Sequence, residues 1–118
     1  MNSYRNMEIF RESKRLAIEV HKVSLRLPKF ELFEEGSQMR RSSKSVSSNI
    51  VEGFARRKYK GDFIKFLTYS VSECDETLIH LEFCFETGSL TDEDKFNELT
   101  TGYIRLGKRL NTFIQKIS

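Results

Sequence analysis

The chain is poor in the residues that most often mark secretion, metal binding or membrane insertion. Its 118 residues include no tryptophan, one proline, two cysteines and two histidines. No apolar run approaches the ~20 residues that a membrane-spanning helix needs. The first six residues, Met1 to Asn6, lack the apolar core of a signal peptide. We therefore expect a cytoplasmic protein without a membrane segment.

The two cysteines, Cys74 and Cys84, are too far apart for a disulfide if the segment between them is helical. Ten residues of helix span ~15 Å, whereas the Cα atoms of a disulfide lie at most ~7 Å apart. The cysteines also lack CxxC spacing and flanking histidines, so a zinc site is not indicated. We predict buried, reduced thiols and no cofactor.

Motifs for catalysis are equally scarce. Gly36 and Gly61 are isolated glycines rather than parts of a phosphate-binding loop, and no Gly-x-Ser-x-Gly turn occurs. A di-metal site in a helical bundle needs a Glu-x-x-His motif on each of two helices, but His21 and His80 are the only histidines. Glu76 and His80 can meet on one helix face, yet no second such pair exists. We predict no catalytic residue, no metal site and no enzymatic activity; a metal-dependent bundle enzyme is the least favoured alternative.

Apolar residues recur in steps of three and four, which is typical of amphipathic helices. We find no strand-like alternation and no internal repeat. The spacing predicts helices over approximately 7–27, 37–56, 59–87 and 91–117. The predicted fold class is all-α: one domain over residues 1–118, built as an antiparallel up-and-down four-helix bundle.

Residues that end or cap helices support these boundaries. Pro28 is expected to end the first helix. Gly88 suits the C-terminus of the third helix. Thr91 is placed to cap the last helix, with Asp94 three residues later in a variant of the capping box.

Two helices carry signs of close packing. The third helix has two adjacent apolar stripes, so it needs cover on more than one side, either within the bundle or from another subunit. Gly102 and Gly107 lie inside the last helix, where each costs about 1 kcal/mol relative to alanine. Close approach by a neighbouring helix would offset that cost.

The stretch from Gln38 to Arg57 has opposing features. Its five serines disfavour a helix. No proline interrupts it, however, and one helical face collects apolar and small residues. Members of that face are Met39, Ser43, Val46, Ile50, Gly53 and Phe54. We predict a helix whose small residues let its neighbours approach closely.

Charge is unevenly distributed around a net value of +3. Between Gly36 and Ser72 there are eight basic and two acidic residues, whereas between Glu73 and Glu98 there are nine acidic residues and one basic residue, Lys95. Such asymmetry can steer an anionic partner or set the register between copies of the protein. Complementary charge on antiparallel helices of one chain is the simpler alternative. All of these explanations stay open.

The basic region supplies the candidate binding residues. Its cations could neutralise several phosphates, and the tyrosine among them could stack on a base. The candidates are Arg40, Arg41, Lys44, Arg56, Arg57, Lys58, Tyr59 and Lys60. No base-reading motif is present, so binding of RNA or DNA would be indifferent to sequence. The alternative is that the arginines make structural salt bridges, some of them to a neighbouring copy.

Three further polar residues are predicted to have structural roles: Asn49, Glu52 and Glu76. We expect Glu76 to be buried and bonded to Asn49 or an arginine, because a charge in the interior needs a partner.

Motifs in the Gln38–Arg57 stretch and after it also point to a family. They are Gln38-Met39-Arg40-Arg41, Ser45-Val46, Asn49-Ile50, Glu52-Gly53, Arg56-Arg57, Phe63-Ile64-Lys65-Phe66-Leu67 and Glu76. Through them the chain resembles, over nearly its whole length, the bacterial four-helix-bundle family of proteins encoded in intervening sequences of 23S rRNA genes. It departs from the family pattern at Ser42 and Ser43, where alanines are usual, and at Ser72-Glu73, where a Gly-Ser pair is usual.

The resemblance implies a small bundle that assembles into a homo-oligomer, a five-membered ring in characterised relatives. The chain is also similar to accessory proteins of diversity-generating retroelements, which work with a reverse transcriptase and nucleic acid. No enzymatic activity, small-molecule substrate or membrane partner is implied. We predict a non-enzymatic homo-oligomeric interaction module with two alternatives for its role. It binds RNA, DNA or a nucleic-acid enzyme through the basic second helix and its loop, or it is a protein-only scaffold held by salt bridges between subunits.

Overall fold

The computed structural model describes residues 3–118; Met1 and Asn2, the first residues of the predicted 1–118 domain, lie outside that range. A short 3₁₀ turn is followed by five helices. They are α1 (Glu8–Ser24), α2 (Lys29–Leu32), α3 (Glu35–Ala55), α4 (Lys60–Glu86) and α5 (Glu93–Ile117). The four long helices pack in the order α1, α3, α4, α5, with α5 closing against α1. The described part of the chain contains no strand. The predicted all-α, up-and-down four-helix bundle is confirmed.

The first connection is more elaborate than predicted. Helix α1 ends at Ser24 rather than near residue 27, and the single-turn helix α2 was not predicted. Pro28 does not terminate α1 directly. It precedes α2, where its carbonyl accepts hydrogen bonds from the backbone N–H groups of Glu31 (2.9 Å) and Leu32 (3.1 Å). Proline suits the start of a helix because its fixed φ is helical and its missing donor is not needed there.

The start of α5 corrects a second expectation. The capping residue is Asp92, whose Oδ1 accepts a hydrogen bond from the backbone N–H of Lys95 at 3.0 Å. The prediction of Thr91 as the cap was therefore wrong by one residue. A carboxylate at this position also interacts favourably with the positive end of the helix dipole. Gly88 follows α4 with a φ of +84°, as expected for a glycine at a helix C-terminus.

The core lies along the bundle axis and draws on all four long helices. Leu16, Ile50, Leu81 and Leu106, one from each of these helices, are completely shielded from solvent. No helix within residues 3–118 is long and apolar enough to cross a membrane.

The serines of α3 lie in the helix interfaces and bond across them. Ser42 and Thr77 of α4 are both fully buried, and their hydroxyl oxygens are 2.8 Å apart. Because the Thr77 hydroxyl donates to the carbonyl of Glu73 at 2.8 Å, the Ser42 hydroxyl is the donor between the two side chains. In the other direction, the hydroxyl of Ser70 donates to the carbonyl of Val46 at 2.9 Å. The buried hydroxyl of Ser42 is thus satisfied by a partner on α4.

Helix α3 also approaches α1 closely. Ser47 of α3 and Ser13 of α1 have hydroxyl oxygens 2.9 Å apart. On the side of α3 that faces α4, an added Cβ at Gly53 would lie 3.2 Å from the Cβ of Phe66 and 3.3 Å from the carbonyl oxygen of Phe63. The prediction that the Gln38–Arg57 stretch is a closely packed helix is confirmed as far as Ala55, where α3 ends.

Gly102 and Gly107 differ, although both lie inside α5. An added Cβ on Gly102 would lie 2.6 Å from Cδ2 of Leu16, a fully buried side chain. Nothing lies within 4 Å of the corresponding position on Gly107. The expectation of a close helix contact is confirmed for Gly102 and wrong for Gly107.

Alanine substitutions at the two glycines should therefore have opposite effects. We expect Gly102→Ala to lower the free energy of unfolding by up to about 2 kcal/mol, because overpacking costs about 1–3 kcal/mol and the gain in helix propensity is about 1 kcal/mol. Gly107→Ala is the matched control and should raise it by up to about 1 kcal/mol. Urea unfolding measures both values. Stabilisation by both substitutions would show that Leu16 yields without cost.

Candidate interaction surfaces

The basic candidates of α3 and its following loop do not form one surface. Arg40 is directed inward: its Nη1 donates to Oγ of Ser24 at 2.9 Å, and its Nη2 donates to the carbonyl of Leu32 at 2.8 Å. These bonds attach α3 to the end of α1 and to α2. Arg40 is consequently a structural residue of the bundle.

Arg41 is exposed but lies beside carboxylates. It lines a 350 Å³ depression between α3 and α4 together with Asn49, Glu73 and Glu76. No carboxylate oxygen comes within 4 Å of Arg41 in the described part of the chain. The negative charge nearby still weakens its attraction for a phosphate.

Glu76 is not buried, and it does not bond to Asn49, so both expectations were wrong. Its side chain is 48% exposed, and its Oε1 lies 3.5 Å from Nε2 of His80. Asn49 instead donates to the carbonyl of Ser45 at 2.9 Å. The reason is the rotation of α4, which directs the next residue, Thr77, into the core and Glu76 outward.

The two arginines at the end of α3 make contacts within the chain. Arg56 pairs with Glu52 at 3.1 Å and with Asp62 at 3.5 Å. Arg57 donates to the carbonyl of Phe54 at 3.0 Å, and its guanidinium lies 4.0 Å from the centre of that phenyl ring. Glu52 therefore serves as an ion-pair partner. Both side chains of its pair with Arg56 are nearly half exposed, so the pair contributes little to stability.

The remaining candidates are free. Lys58, Tyr59 and Lys60 lie between α3 and α4 or at the first residue of α4, and all three are exposed. Tyr59 is 61% exposed, and Nζ of Lys58 lies 5.8 Å from the centre of its ring. Lys58 and Lys60 have no carboxylate within 4 Å among the described residues.

Lys44 belongs to a different surface, the groove between α1 and α3. It lies 11 residues before the end of α3 at Ala55, or ~16 Å along the helix axis, and is therefore distant from Lys58. The groove has a volume of 320 Å³, and Ala17 and the half-exposed Ile18 form its apolar floor. We call it the lysine groove. Its remaining lining residues are Lys14, His21, Lys22, Lys44 and Ser47.

Helix α4 presents a complementary outward surface. Exposed residues recur along it at helical spacing and combine apolar with acidic side chains. This acidic face consists of Tyr69, Ser72, Asp75, Glu76, Ile79, Phe83 and Glu86. Ile79 and Phe83 are 42% and 52% exposed. These two apolar side chains of α4 are thus left without cover in the single chain.

A polar cluster joins α2, α3, α4 and the α4–α5 connection. The carboxylate of Glu31, only 5% exposed, accepts hydrogen bonds from the backbone N–H of Glu35 (3.2 Å) and the hydroxyl of Ser89 (2.8 Å). Nδ1 of His80 lies 2.6 Å from Oε2 of Glu35. Within residues 3–118 no group of three or more His, Cys, Asp or Glu side chains is arranged to hold a metal ion.

The cysteines are buried and free. Burial raises the pKa of each thiol to about 12, with help from the carboxylates of Asp75 near Cys74 and of Glu31 near Cys84. A thiol with such a pKa is almost entirely protonated at neutral pH, so neither side chain is a nucleophile there.

One further basic surface was not predicted from the sequence. After Glu98 the chain contains no acidic side chain, but it contains four basic ones: Arg105, Lys108, Arg109 and Lys116. In the structure all four line a 440 Å³ cavity between the N-terminus of α1 and the second half of α5. The signal in the sequence is the absence of acidic residues after Glu98, beyond the residues 36–98 over which the uneven charge was noted.

Alanine substitutions of the adjacent residues Arg40 and Arg41 test which of the two arginines stabilises the fold. We expect Arg40→Ala to lower the free energy of unfolding by about 1.5–3 kcal/mol, because two hydrogen bonds from a charged donor are removed. Arg41→Ala should change it by less than about 0.5 kcal/mol. Denaturant unfolding of the two variants checks this. Equal effects would contradict the structural role of Arg40.

Comparisons with known proteins agree with this fold. The crystal structure of a protein with unknown function from the S23 ribosomal protein family of Bacteroides thetaiotaomicron superposes with a TM-score of 0.81 at 23% sequence identity, covering 91% of this chain and 95% of that chain. At this identity the likeness shows a shared fold. No curated protein matches the sequence. A family model described as 23S rRNA-intervening sequence protein matches residues 5–112. The chain therefore belongs to the 23S rRNA-intervening sequence protein family, as the motifs of the Gln38–Arg57 stretch indicated.

Proposed function

We propose that the protein is a non-enzymatic, homo-oligomeric interaction module. Copies would assemble by packing the acidic face of α4 against the lysine groove of the next copy. The observation that carries this proposal is the complementarity of the two surfaces. The acidic face combines exposed apolar side chains with negative charge, and the lysine groove combines the half-exposed Ile18 with positive charge.

Apolar contact and charge have separate roles in such an interface. Ile79 and Phe83 supply apolar area that the isolated chain leaves in water, and Ile18 supplies apolar area in the groove. Burial of that area favours association. Lys14 and Lys44 would meet Glu76 and other carboxylates of α4 at the rim, where charge pairs set orientation and partner choice more than affinity.

The position of the two surfaces determines the type of assembly. Helix α4 packs against α3 and α5, whereas the groove lies between α1 and α3, so the surfaces face different directions. A contact between two different surfaces is heterologous, and it generates a ring if the rotation closes. The five-membered ring of characterised relatives is the closure that we propose for this chain.

Charge reversal tests the interface. We expect Lys14→Glu with Lys44→Glu to dissociate the oligomer, because both substitutions place carboxylates opposite the acidic face. Glu76→Lys with Glu86→Lys should do the same. An equimolar mixture of the two double variants should associate again, because the groove of each variant is complementary to the α4 face of the other, but it should not close five-membered rings, since two variants cannot alternate around an odd number of copies. Sedimentation velocity measures the species, with circular dichroism as the check on folding.

Lys58→Glu with Lys60→Glu is the control, since it changes the net charge equally but alters neither surface. Assembly that survives both surface variants would contradict the interface. A monomeric wild-type protein at high micromolar concentration would contradict self-assembly altogether.

A second candidate function is sequence-indifferent binding of RNA or DNA, or of a nucleic-acid enzyme, at the loop after α3. The exposed ring of Tyr59 favours it, because the two flanking lysines have no ion-pair partner within residues 3–118. Aromatic stacking contributes about 1–3 kcal/mol per base in such sites, and repetition around a ring would strengthen a weak contact.

Substitutions of the tyrosine test this second candidate. We expect Tyr59→Ala to weaken binding of a fluorescent single-stranded RNA by about tenfold or more, in line with the loss of one stacked base. Tyr59→Phe keeps the aromatic face and should bind as the wild type does. Fluorescence anisotropy at low salt measures both. Equal affinity of the alanine and phenylalanine variants would exclude stacking on this ring.

A further inference from the structure

The basic cavity between α1 and α5 has features of a polyanion site. Arg105, Lys108, Arg109 and Lys116 are all exposed, and all line the 440 Å³ cavity. Helix geometry distributes these cations over ~16 Å of the α5 axis. A nucleic-acid strand carries one charge per ~3.4 Å of helix axis, so this span corresponds to about five phosphates.

The cations are not explained by the structure of α5 itself. Basic residues stabilise a helix C-terminus only within about the last turn, where Lys116 lies. Arg105, Lys108 and Arg109 lie at least eight residues before the helix ends at Ile117. Of these three, only Arg109 has a carboxylate within 4 Å in the described part of the chain, namely Glu8 at 3.1 Å. That glutamate is 71% exposed, so the pair is weak and open to competition from an anion.

Neighbouring groups extend the positive surface. Arg5 lies in the 3₁₀ turn with its guanidinium 5.0 Å from the centre of the Tyr4 ring. Asn6 and Thr112, which also line the cavity, offer uncharged hydrogen-bond donors of the kind that contact phosphate oxygens. The pKa of Glu12 is lowered, mainly by its hydrogen bond with Arg15, and the charges of Arg109 and Arg105 add to the effect. The positive potential of this surface therefore reaches beyond the cavity.

Antiparallel packing also brings the exposed Lys58 and Lys60 to this end of the bundle. The start of α4 and the end of α5 adjoin, since the rings of Phe63 and Phe113 have centroids 5.8 Å apart. Lys58 and Lys60 thus lie at the same end of the molecule as Lys116. The opposite end carries most of the acidic residues, among them Glu31, Glu34, Glu35, Glu82, Glu86, Asp92, Glu93 and Asp94.

The surroundings favour a hydrated polyanion over a membrane. Ile104, at 46%, is the single large apolar side chain of α5 that is well exposed within the described chain. A membrane-surface helix needs a broad apolar face. The apolar residues of the cavity wall are Met7, Ile9 and Phe113, and of these Met7 and Ile9 are buried.

We propose that the surface formed by Arg105, Lys108, Arg109 and Lys116 binds the phosphate backbone of a nucleic acid without regard to base sequence. This site is additional to the self-assembly interface and does not depend on it. The cations of the cavity wall would contact phosphate oxygens, and such contacts carry no sequence information.

Paired charge reversals test the site. We expect Arg105→Glu with Lys108→Glu to weaken binding of a labelled 20-nucleotide RNA of mixed sequence by about tenfold or more at low salt. The steepness of log affinity against log salt should fall by about 1.4, which is about 0.7 for each phosphate contact that is lost on a single strand. Arg26→Glu with Lys29→Glu, at the opposite end, makes the same change in net charge and should leave affinity within about twofold. Fluorescence anisotropy measures affinity, and circular dichroism confirms folding of each variant.

A gain of binding provides an independent check. Glu8→Gln removes the carboxylate that competes for Arg109, and we expect about two- to fivefold tighter binding. A merely destabilising effect of surface substitutions cannot produce this result.

Each result of the charge-reversal experiment either supports the nucleic-acid site or contradicts it. Weaker binding confined to the Arg105/Lys108 variant supports the site. Unchanged affinity in that variant, equal weakening in the opposite-end control, absence of RNA binding by the wild type, or binding to phosphatidylserine vesicles but not to RNA each overturns it. Sedimentation of the RNA-free proteins tests self-assembly separately. If the wild type is a monomer but its RNA affinity still depends on Arg105 and Lys108, only the assembly proposal is refuted.

Discussion

The structure depends on the close approach of α3 to α4 and to α1. Ser42, Ser47 and Gly53 occupy positions where larger side chains would hold the helices apart, and the two serines bond to Thr77 and Ser13 across the interfaces. Hydroxyl groups can be buried at such positions only because each finds a partner. The packing of α3 in turn places its charged residues: Arg40 is drawn to Ser24 and Leu32, whereas Arg41 and Lys44 are directed into separate surface depressions.

The sequence supported correct predictions where one physical signal dominated. Apolar spacing was sufficient to predict the four long helices, and it outweighed the low helix propensity of the serines in α3. Predictions failed where several local solutions were close in energy. Thr91 and Asp92 are both good capping residues, and in the structure the cap is Asp92. Glu76 and Thr77 are neighbours on α4, and a modest rotation of the helix determines which one is buried.

The candidate surfaces were less predictable than the fold for a related reason. Composition identified the basic residues, but their partners lie on other elements. Only the three-dimensional arrangement shows that Arg40 and Arg56 are engaged while Lys58 and Lys60 are free. Conversely, the cations of α5 looked ordinary in the sequence because they are spread over twelve residues. They converge only when the helix turns them toward the N-terminus of α1.

The separation of basic and acidic residues toward opposite ends of a bundle 44 Å long has a consequence for its encounters in solution. Separated charge of this kind gives the molecule a permanent electric dipole along its long axis. In the field of a negatively charged polymer the dipole experiences a torque, which turns the basic end forward before contact. Such orientation raises the fraction of productive collisions at low ionic strength, and the advantage disappears once the Debye length, about 8 Å in physiological salt, becomes short relative to the molecule.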